Sequence, residues 1–236
     1  AGRTVEIFGP FIGDEAEAFR AAVALFEDET GIDVVYEESG DFEDEILRRT
    51  AGGDAPDIAI FPQPGLLDDP VFAERLYDMR EWLSAEHLRS RYRDIWVDLS
   101  LVDGRPVGVW YRASVKSIVW YNKTVFDEEG YAVPTTWEEL IALTDAMIAD
   151  GYTPWSVGIE SGPATGWPAT DWLEDIMLRI HPPAVYDRWI AGTVPFDGPR
   201  FHDAVDYLAE LWFRDGAVLG GRRGIVETNF GDAVVA

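Results

Sequence analysis

The stretch "TVEIFGPFIGDEAEAF", residues 4–19, decides the fold class. It opens on a run of β-forming side chains, and the following "GPFIG" is typical of a turn. From Phe19 the apolar residues recur at helical spacing through Val23 and Phe26, until Gly31 ends the pattern. The sequence therefore predicts strand, loop and helix in immediate succession.

The same pattern is then repeated. "IDVVYE" (32–37) predicts a second strand, Asp41 can cap the next helix, and the glycine pair at 52–53 ends that helix. "PDIAIF" (56–61) predicts a third, largely apolar strand. Strands that alternate with helices at this spacing are typical of an α/β fold with a parallel sheet covered on both faces.

In such a sheet, ligands lie beyond the carboxyl ends of the strands, which directs attention to the loops at 9–13, 38–42 and 62–66. These loops offer flat rings, a carboxylate and an amide, a mixture suited to a neutral polyhydroxyl ligand: Phe11, Phe61, Asp41 and Gln63. Two alternatives stay open, because Asp41 could be only a helix cap and Phe61 only a core residue.

Two β-rich runs, "PVGVWY" (106–111) and "KSIVWYN" (116–122), flank the polar kink "RAS". A few loop residues can absorb the angular change of a hinge, so we predict a crossing between domains here. Arg112 and Lys116 are candidate ligand contacts at this crossing. The rings of the second run are predicted to lie in the core: Trp120 and Tyr121.

A further strand, "TPWSVGIE" (153–160), precedes the loop "SGPATGWPATDW" (161–172) and a helix expected from about Thr170. Tryptophan rings normally lie in a core, whereas a loop of this composition is exposed. Glu160 and Trp167 thus stand at a strand end, as Gln63 does in the first half of the chain. Alternatively, both tryptophan rings could have a structural role and pack between helices of their own lobe.

Other helices are recognised from their ends. "TTWEEL" (135–140) is a capping box formed by Thr136 and Glu139, and residues 197–216 predict an amphipathic helix with Trp212 in the core. Short helices are expected between 66 and 100, with four residues in packing roles: Leu76, Trp82, Leu88 and Trp96.

Composition excludes several classes of function. Hydrophobic residues make up 47% of the 236, which indicates a globular chain, and a net charge of −25 disfavours nucleic acid and anionic lipid as partners. No stretch approaches the ~20 apolar residues that cross a bilayer. There is no cysteine, no histidine cluster and no phosphate-binding glycine loop, so we expect neither metal nor cofactor.

Three blocks resemble a known family: "GDAPDIAIFPQPG", "GRPVGVWYRASVKSIVWYNKTVFDEEGYAVPTTWEELIALTDAM" and the Trp-Pro loop. They are similar to the extracellular solute-binding proteins of bacterial ABC sugar importers, and most to the α-glucoside-binding branch. The resemblance implies the type II periplasmic-binding-protein fold, in which two α/β lobes joined by crossing strands close on a ligand. It implies no catalysis, an ABC permease as partner, and an extracytoplasmic monomer.

The resemblance also implies a set of sugar contacts. Those carried over by motif are Gly9, Pro10, Phe11, Asp41, Phe61, Pro62, Gln63, Pro64, Glu160 and Trp167, with Asp171, Trp172, Arg112 and Lys116 as weaker transfers. Because members of the family are usually about twice as long, we expect residues 1–110 to form part of the first lobe and 111–236 part of the second. The remainder of both lobes, and any signal segment, would then lie outside this sequence.

Two other classes of function stay open. Aromatic rings beside carboxylates also describe a glycoside hydrolase, although its paired carboxylates require a fixed spacing, and the obvious pair here stands on different lobes. A binding protein of the same fold for a polyamine, a peptide, iron or another non-sugar solute is the third class.

Overall fold

The computed structural model describes residues 3–72 and 75–235. The chain divides into two compact units, which we call unit 1 (Ala1–Ala113) and unit 2 (Ser114–Ala236). The division falls after Ala113, whereas the sequence placed it after residue 110.

Unit 1 begins with alternating strands and helices and continues with short elements. Its elements are β1 (Arg3–Gly9), α1 (Asp14–Thr30), β2 (Ile32–Glu38), α2 (Phe42–Gly52), β3 (Ile58–Ala59), three 3-10 turns (Pro64–Asp68, Pro70–Phe72, Met79–Glu81), α3 (Ala85–Arg91), α4 (Asp94–Asp98), β4 (Leu101–Val102) and β5 (Arg105–Pro106).

Unit 2 is mainly helical. Its elements are α5 (Lys123–Glu129), α6 (Trp137–Ala149), a 3-10 turn (Gly162–Ala164), α7 (Trp167–Ile180), α8 (Pro183–Ile190), α9 (Pro199–Trp212), α10 (Gly221–Glu227) and a last 3-10 turn (Asp232–Val234). Helices α5, α8 and α10 were not recognised in the sequence, because all three are short.

The three-stranded sheet of unit 1 is parallel, as predicted, and its strand order is β2-β1-β3. Strands β4 and β5 form a separate antiparallel pair. The third strand is shorter than expected, since only Ile58 and Ala59 pair with β1. One reason lies just before it, where the Asp57 carboxylate accepts the backbone N–H of Glu6 at 2.9 Å. A side chain thus uses a donor that a longer strand would have paired with a carbonyl.

Neighbouring residues of β1 enter different cores. Ile7 packs with Tyr36 and the α1 residue Ala16, whereas Phe8 packs with the α2 residues Phe42 and Ile46. Because strand side chains alternate between faces, α1 and α2 cover opposite sides of the sheet. This confirms the prediction of a sheet covered on both faces.

Several aromatic residues predicted to pack are exposed. Residues 107–122 form no strand within the described chain, and Trp120 is 85% exposed where a core position was predicted. Strand-forming residues need a paired neighbour, and apart from the hydrogen bond that the N–H of Val107 donates to the Ser100 carbonyl oxygen at 3.0 Å, no described segment pairs with this one through its backbone. Tyr121 and Trp82 are also exposed, although each contacts one neighbouring ring, that of Phe126 and of Tyr77 respectively, whereas Leu88 is buried as predicted.

The core of unit 2 lies between α7 and α9, where Met177 and Leu211 are fully buried and Trp212 is buried as predicted. The capping box before α6 forms with one change of partner. The Thr136 hydroxyl accepts the N–H of Glu139 at 3.2 Å, but the Glu139 carboxylate binds the N–H of Thr135, one residue earlier than expected.

The predicted strand 153–160 is an extended segment held by isolated bridges. Trp155 pairs with Val218 and Glu160 with Asn229, both in parallel. The extended segment passes close to the backbone of residues 228–229 at Gly158. An added Cβ there would lie 2.6 Å from the carbonyl oxygen of Thr228 and 2.7 Å from that of Asn229. Glycine is therefore required for this pairing.

We expect Gly158→Ala to lower the free energy of unfolding by about 1–3 kcal/mol, because both atoms that the methyl group meets belong to the backbone and cannot rotate away. Urea unfolding measures the change. Gly40→Ala is the matched control, since an added Cβ there meets nothing within 4 Å. Equal losses in the two variants would contradict this account of the pairing.

Candidate functional site

The end of β1 in unit 1 is fixed by Tyr36. Gly9 lets the chain pass this side chain, since an added Cβ would lie 2.8 Å from Tyr36 Oη. The same hydroxyl accepts the N–H of Phe11 at 2.9 Å and donates to the Phe11 carbonyl oxygen at 3.1 Å. Burial raises the pKa of Tyr36, so the hydroxyl stays protonated and keeps both roles at neutral pH.

The ring of Phe11 is half-buried and lies beneath a cation. The guanidinium of Arg112 lies over it, 5.4 Å from the ring centroid, and also pairs with the Glu15 carboxylate at 3.1 Å. The ring of Tyr111 stands edge-on to Phe11 at 6.2 Å. The structure thus brings together the predicted residues Phe11 and Arg112.

The other predicted residues of unit 1 occupy two neighbouring loops. Asp41 takes the N-cap position of α2, yet within the described chain its carboxylate accepts no capping hydrogen bond. Phe61 stands edge-on to Phe42 and Phe72, so much of its ring belongs to the core. Among the remaining predicted residues, Pro62 and Gln63 lie at the surface and Pro64 begins the first 3-10 turn. Pro10 is half-buried beside Gly9.

Glu160 stands where the extended segment of unit 2 ends, and its carboxylate is oriented by two donors. The N–H of Gly162 donates to Oε1 at 2.8 Å, and the Asn229 side-chain amide donates to Oε2 at 2.7 Å. These hydrogen bonds, the first above all, lower the pKa of Glu160. The carboxylate is therefore ionised and keeps further lone pairs for hydroxyl donors.

Trp167 is the first residue of α7 rather than part of the preceding loop, because Pro168 suits the first turn of a helix and starts it early. Its half-buried ring contacts Phe230 at 5.1 Å. The Lys116 ammonium lies over the ring, 4.3 Å from its centroid, and pairs with Asp171 at 3.1 Å. The structure thus brings together Lys116, Trp167 and Asp171.

Trp172 lies elsewhere on α7. Its ring is edge-on to Trp155 and to Trp212, each at 5.9 Å, and packs against the core of unit 2. These contacts favour the structural alternative for Trp172, and we assign it a packing role.

Several residues of these two sites were missed in the sequence. Tyr36 and Asn229 are distant in sequence from the residues they hold, at separations of 25 and 69. A run such as "ETNFG" (227–231) contains the turn-forming Asn and Gly that suit a strand-end loop, but it does not reveal which carboxylate Asn229 meets.

Sequence comparison identifies the family of this chain. Residues 12–216 match the profile described as "Bacterial extracellular solute-binding protein". The chain belongs to this family. The resemblance seen in the sequence is confirmed.

Curated relatives match almost the whole chain. The osmoprotective compounds-binding protein GgtB of Synechocystis sp. is 46% identical over 99% of this chain and 55% of its own length. The α-glucosides-binding periplasmic protein AglE of Rhizobium meliloti is 38% identical over 98% of this chain and 52% of its own length. The chain spans about half the length of these curated relatives.

Solved structures show the fold. A protein studied for xylan utilization in Caldanaerobius polysaccharolyticus has a TM-score of 0.78 at 21% identity, covering 98% of this chain and 58% of that one. The bacterial solute receptor AcbH has a TM-score of 0.76 at 21% identity, covering 100% and 58%. These likenesses confirm the type II periplasmic-binding-protein fold, and the relatives named above are solute-binding proteins rather than enzymes.

Residues 3–72 and 75–235 contain neither a candidate membrane-spanning helix nor a candidate metal site. Their helices include none with the length and apolar content to cross a membrane. Their His, Asp and Glu side chains include no group of three placed to hold a metal ion.

We expect the contribution of Glu160 to stability to be complete above pH 4.5, the ordinary pKa of a glutamate, and to be lost as pH falls through its lower folded-state pKa. The sign follows because the folded state binds this proton less tightly than the unfolded state. The measurement is the difference in Tm between wild type and Glu160→Gln from about pH 7 down to about pH 3.

That difference in Tm should be constant near neutrality and shrink only under acid conditions. The same substitution at the exposed Glu29 controls for the general loss of negative charge. A difference that already shrinks near neutral pH would contradict the lowered pKa.

Proposed function

We propose that this chain is part of a receptor that binds a neutral sugar, an α-glucoside or small oligosaccharide, and delivers it to an ABC import permease. The observation that carries the proposal is the pair formed by Glu160, an oriented ionised carboxylate, and Trp167, a half-buried ring at the start of α7. The relatives support the class of ligand, since one is named for α-glucosides and another for osmoprotective compounds.

The two side chains have complementary chemistry for a sugar. A carboxylate accepts charge-assisted hydrogen bonds from hydroxyl groups, whereas an indole ring packs on the apolar C–H face of a pyranose. Small-molecule sites in general combine apolar surface with a few placed polar groups. Glu160 supplies a placed polar group, and Trp167 supplies apolar surface.

Unit 1 would supply the rest of the contacts. In this proposal Phe11 offers a second ring, while Asp41 and Gln63 offer polar groups from neighbouring strand-end loops. Support for Asp41 comes from its carboxylate, which α2 does not use as a cap. A ligand shared by the two units, a hinge at the connecting segment, an extracytoplasmic location and a monomeric state all belong to the proposal.

The pKa of Glu160 argues against a role for this carboxylate as the general acid of a glycoside hydrolase. A general acid in such an enzyme needs a raised pKa so that it still carries its proton at working pH. The hydrogen bonds to Glu160 lower its pKa instead. This environment suits a permanent hydrogen-bond acceptor.

The first test is binding itself. We expect titration calorimetry of the full-length protein that contains this chain to detect binding of at least one sugar among glucose, maltose, trehalose, sucrose and isomaltose. After prolonged incubation, chromatography should recover the bound sugar intact. Binding of none of these sugars, or release of monosaccharide at enzymatic rates, would overturn the proposal.

The second test separates binding from folding. Trp167→Ala should weaken sugar binding about tenfold to a hundredfold, because a stacked ring in a desolvated site contributes about 1–3 kcal/mol. Calorimetry and thermal unfolding of the same variant measure the two effects.

Trp172→Ala is the matched control, since it removes the same ring from the core side of the same helix. It should cost on the order of 3 kcal/mol in stability and leave the affinity of the folded protein nearly unchanged. The reverse pattern in the two variants would show that Trp172 binds the sugar and that Trp167 has the packing role.

A further inference from the structure

Both candidate rings are covered by a cation from the same short segment of chain. Lys116 Nζ lies 4.3 Å from the centroid of the Trp167 ring in unit 2. Arg112 Cζ lies 5.4 Å from that of Phe11 in unit 1. The two cations are four residues apart, on either side of the division after Ala113.

The arrangement has the same pattern in both units. Each cation also pairs with the acid that lies four residues after its ring, Lys116 with Asp171 and Arg112 with Glu15, at 3.1 Å in both cases. On α7 this spacing places ring and acid on one face, one turn apart. A single cation can therefore contact both groups at once.

The backbone beside Lys116 adds a third contact. Ser117 has a φ of 60°, in the left-handed region that side chains other than glycine rarely adopt. Its hydroxyl donates to the carbonyl oxygen of Asp171 at 3.3 Å. The contacts of Lys116 and Ser117 with α7 stabilise this unfavourable conformation.

We infer that Lys116, and Arg112 in the other unit, determine ligand affinity by occupying the ring faces on which a sugar would stack. The inference rests on the proposed function, and it gives these side chains a different role from the direct ligand contact expected from the sequence. An ammonium group and a pyranose cannot share one ring face. A sugar that stacks on this face must displace the cation before it can bind.

Displacement is feasible because each contact is weak. The Lys116 side chain is more than half exposed, and both an exposed cation–π contact and an exposed ion pair contribute little. Displacement of Lys116 would remove its contacts with α7, while the Ser117 hydroxyl keeps its hydrogen bond to the Asp171 carbonyl oxygen. Since salt screens exposed ion pairs, added salt should make displacement easier.

The binding experiment compares Lys116→Ala with wild type in the full-length protein. The affinity for the sugar identified by calorimetry should rise about threefold to tenfold, because the competing cation is gone. Wild-type affinity should increase with added salt, and this increase should be smaller in the variant. Lys123→Ala is the matched control: it removes an equal charge from an exposed ion pair with Asp127 on α5, and its affinity should match wild type.

A second readout needs no ligand. The protein is labelled with 5-fluorotryptophan, and the Trp167 resonance is assigned through Trp167→Phe. Lys116→Ala should increase the solvent isotope shift of this resonance between H2O and D2O, because the ring face becomes exposed, and Lys123→Ala should not. An unchanged shift would overturn the inference whatever the protein binds.

The two readouts distinguish the possible failures. A weaker or equal affinity in Lys116→Ala would overturn the inference while leaving sugar binding intact, and a weaker affinity would indicate direct contact with the ligand. If neither protein binds any of the sugars but the Trp167 ring becomes exposed, the proposed function fails and the covering role of Lys116 is retained.

Discussion

Parallel pairing of extended chain is the constraint on which the candidate contacts depend. In unit 1, β1 lies between β2 and β3, so the loops that carry Phe11, Asp41 and Gln63 all follow carboxyl ends at one edge of the sheet. In unit 2, the parallel bridge from Glu160 to Asn229 has the same effect. Since parallel strands end together, residues far apart in sequence become neighbours.

The polar groups at these edges are held by hydrogen bonds within the chain. Tyr36 fixes the loop of Phe11 through two hydrogen bonds, and two donors orient the carboxylate of Glu160. A binding site that is ordered in advance does not lose that conformational entropy when the ligand arrives. In the proposed site the cations over Phe11 and Trp167 would have the opposite effect, because they occupy the ring faces on which a sugar would stack.

The sequence predicted the elements that depend on local patterns. Strands β1 and β2, helices α1 and α2 and the cap at Thr136 followed from periodicity, glycine and capping residues. The prediction was wrong for the apolar run around Trp120, which is exposed. Apolar β-forming residues specify a strand only when a partner strand is at hand, and the pattern of one segment does not identify its partner.

The sequence by itself determined the α/β class, the family and the loops in which ligand contacts were sought, because spacing, turn residues and motifs are properties of neighbouring residues. Only the tertiary structure decided the environment of each side chain. It placed Trp172 against the core of unit 2 and Trp167 beneath Lys116, although both tryptophans come from one short loop-like stretch. The reason is that α7 begins at Trp167, and positions five residues apart on a helix point about 140° apart, one toward the core and the other away from it.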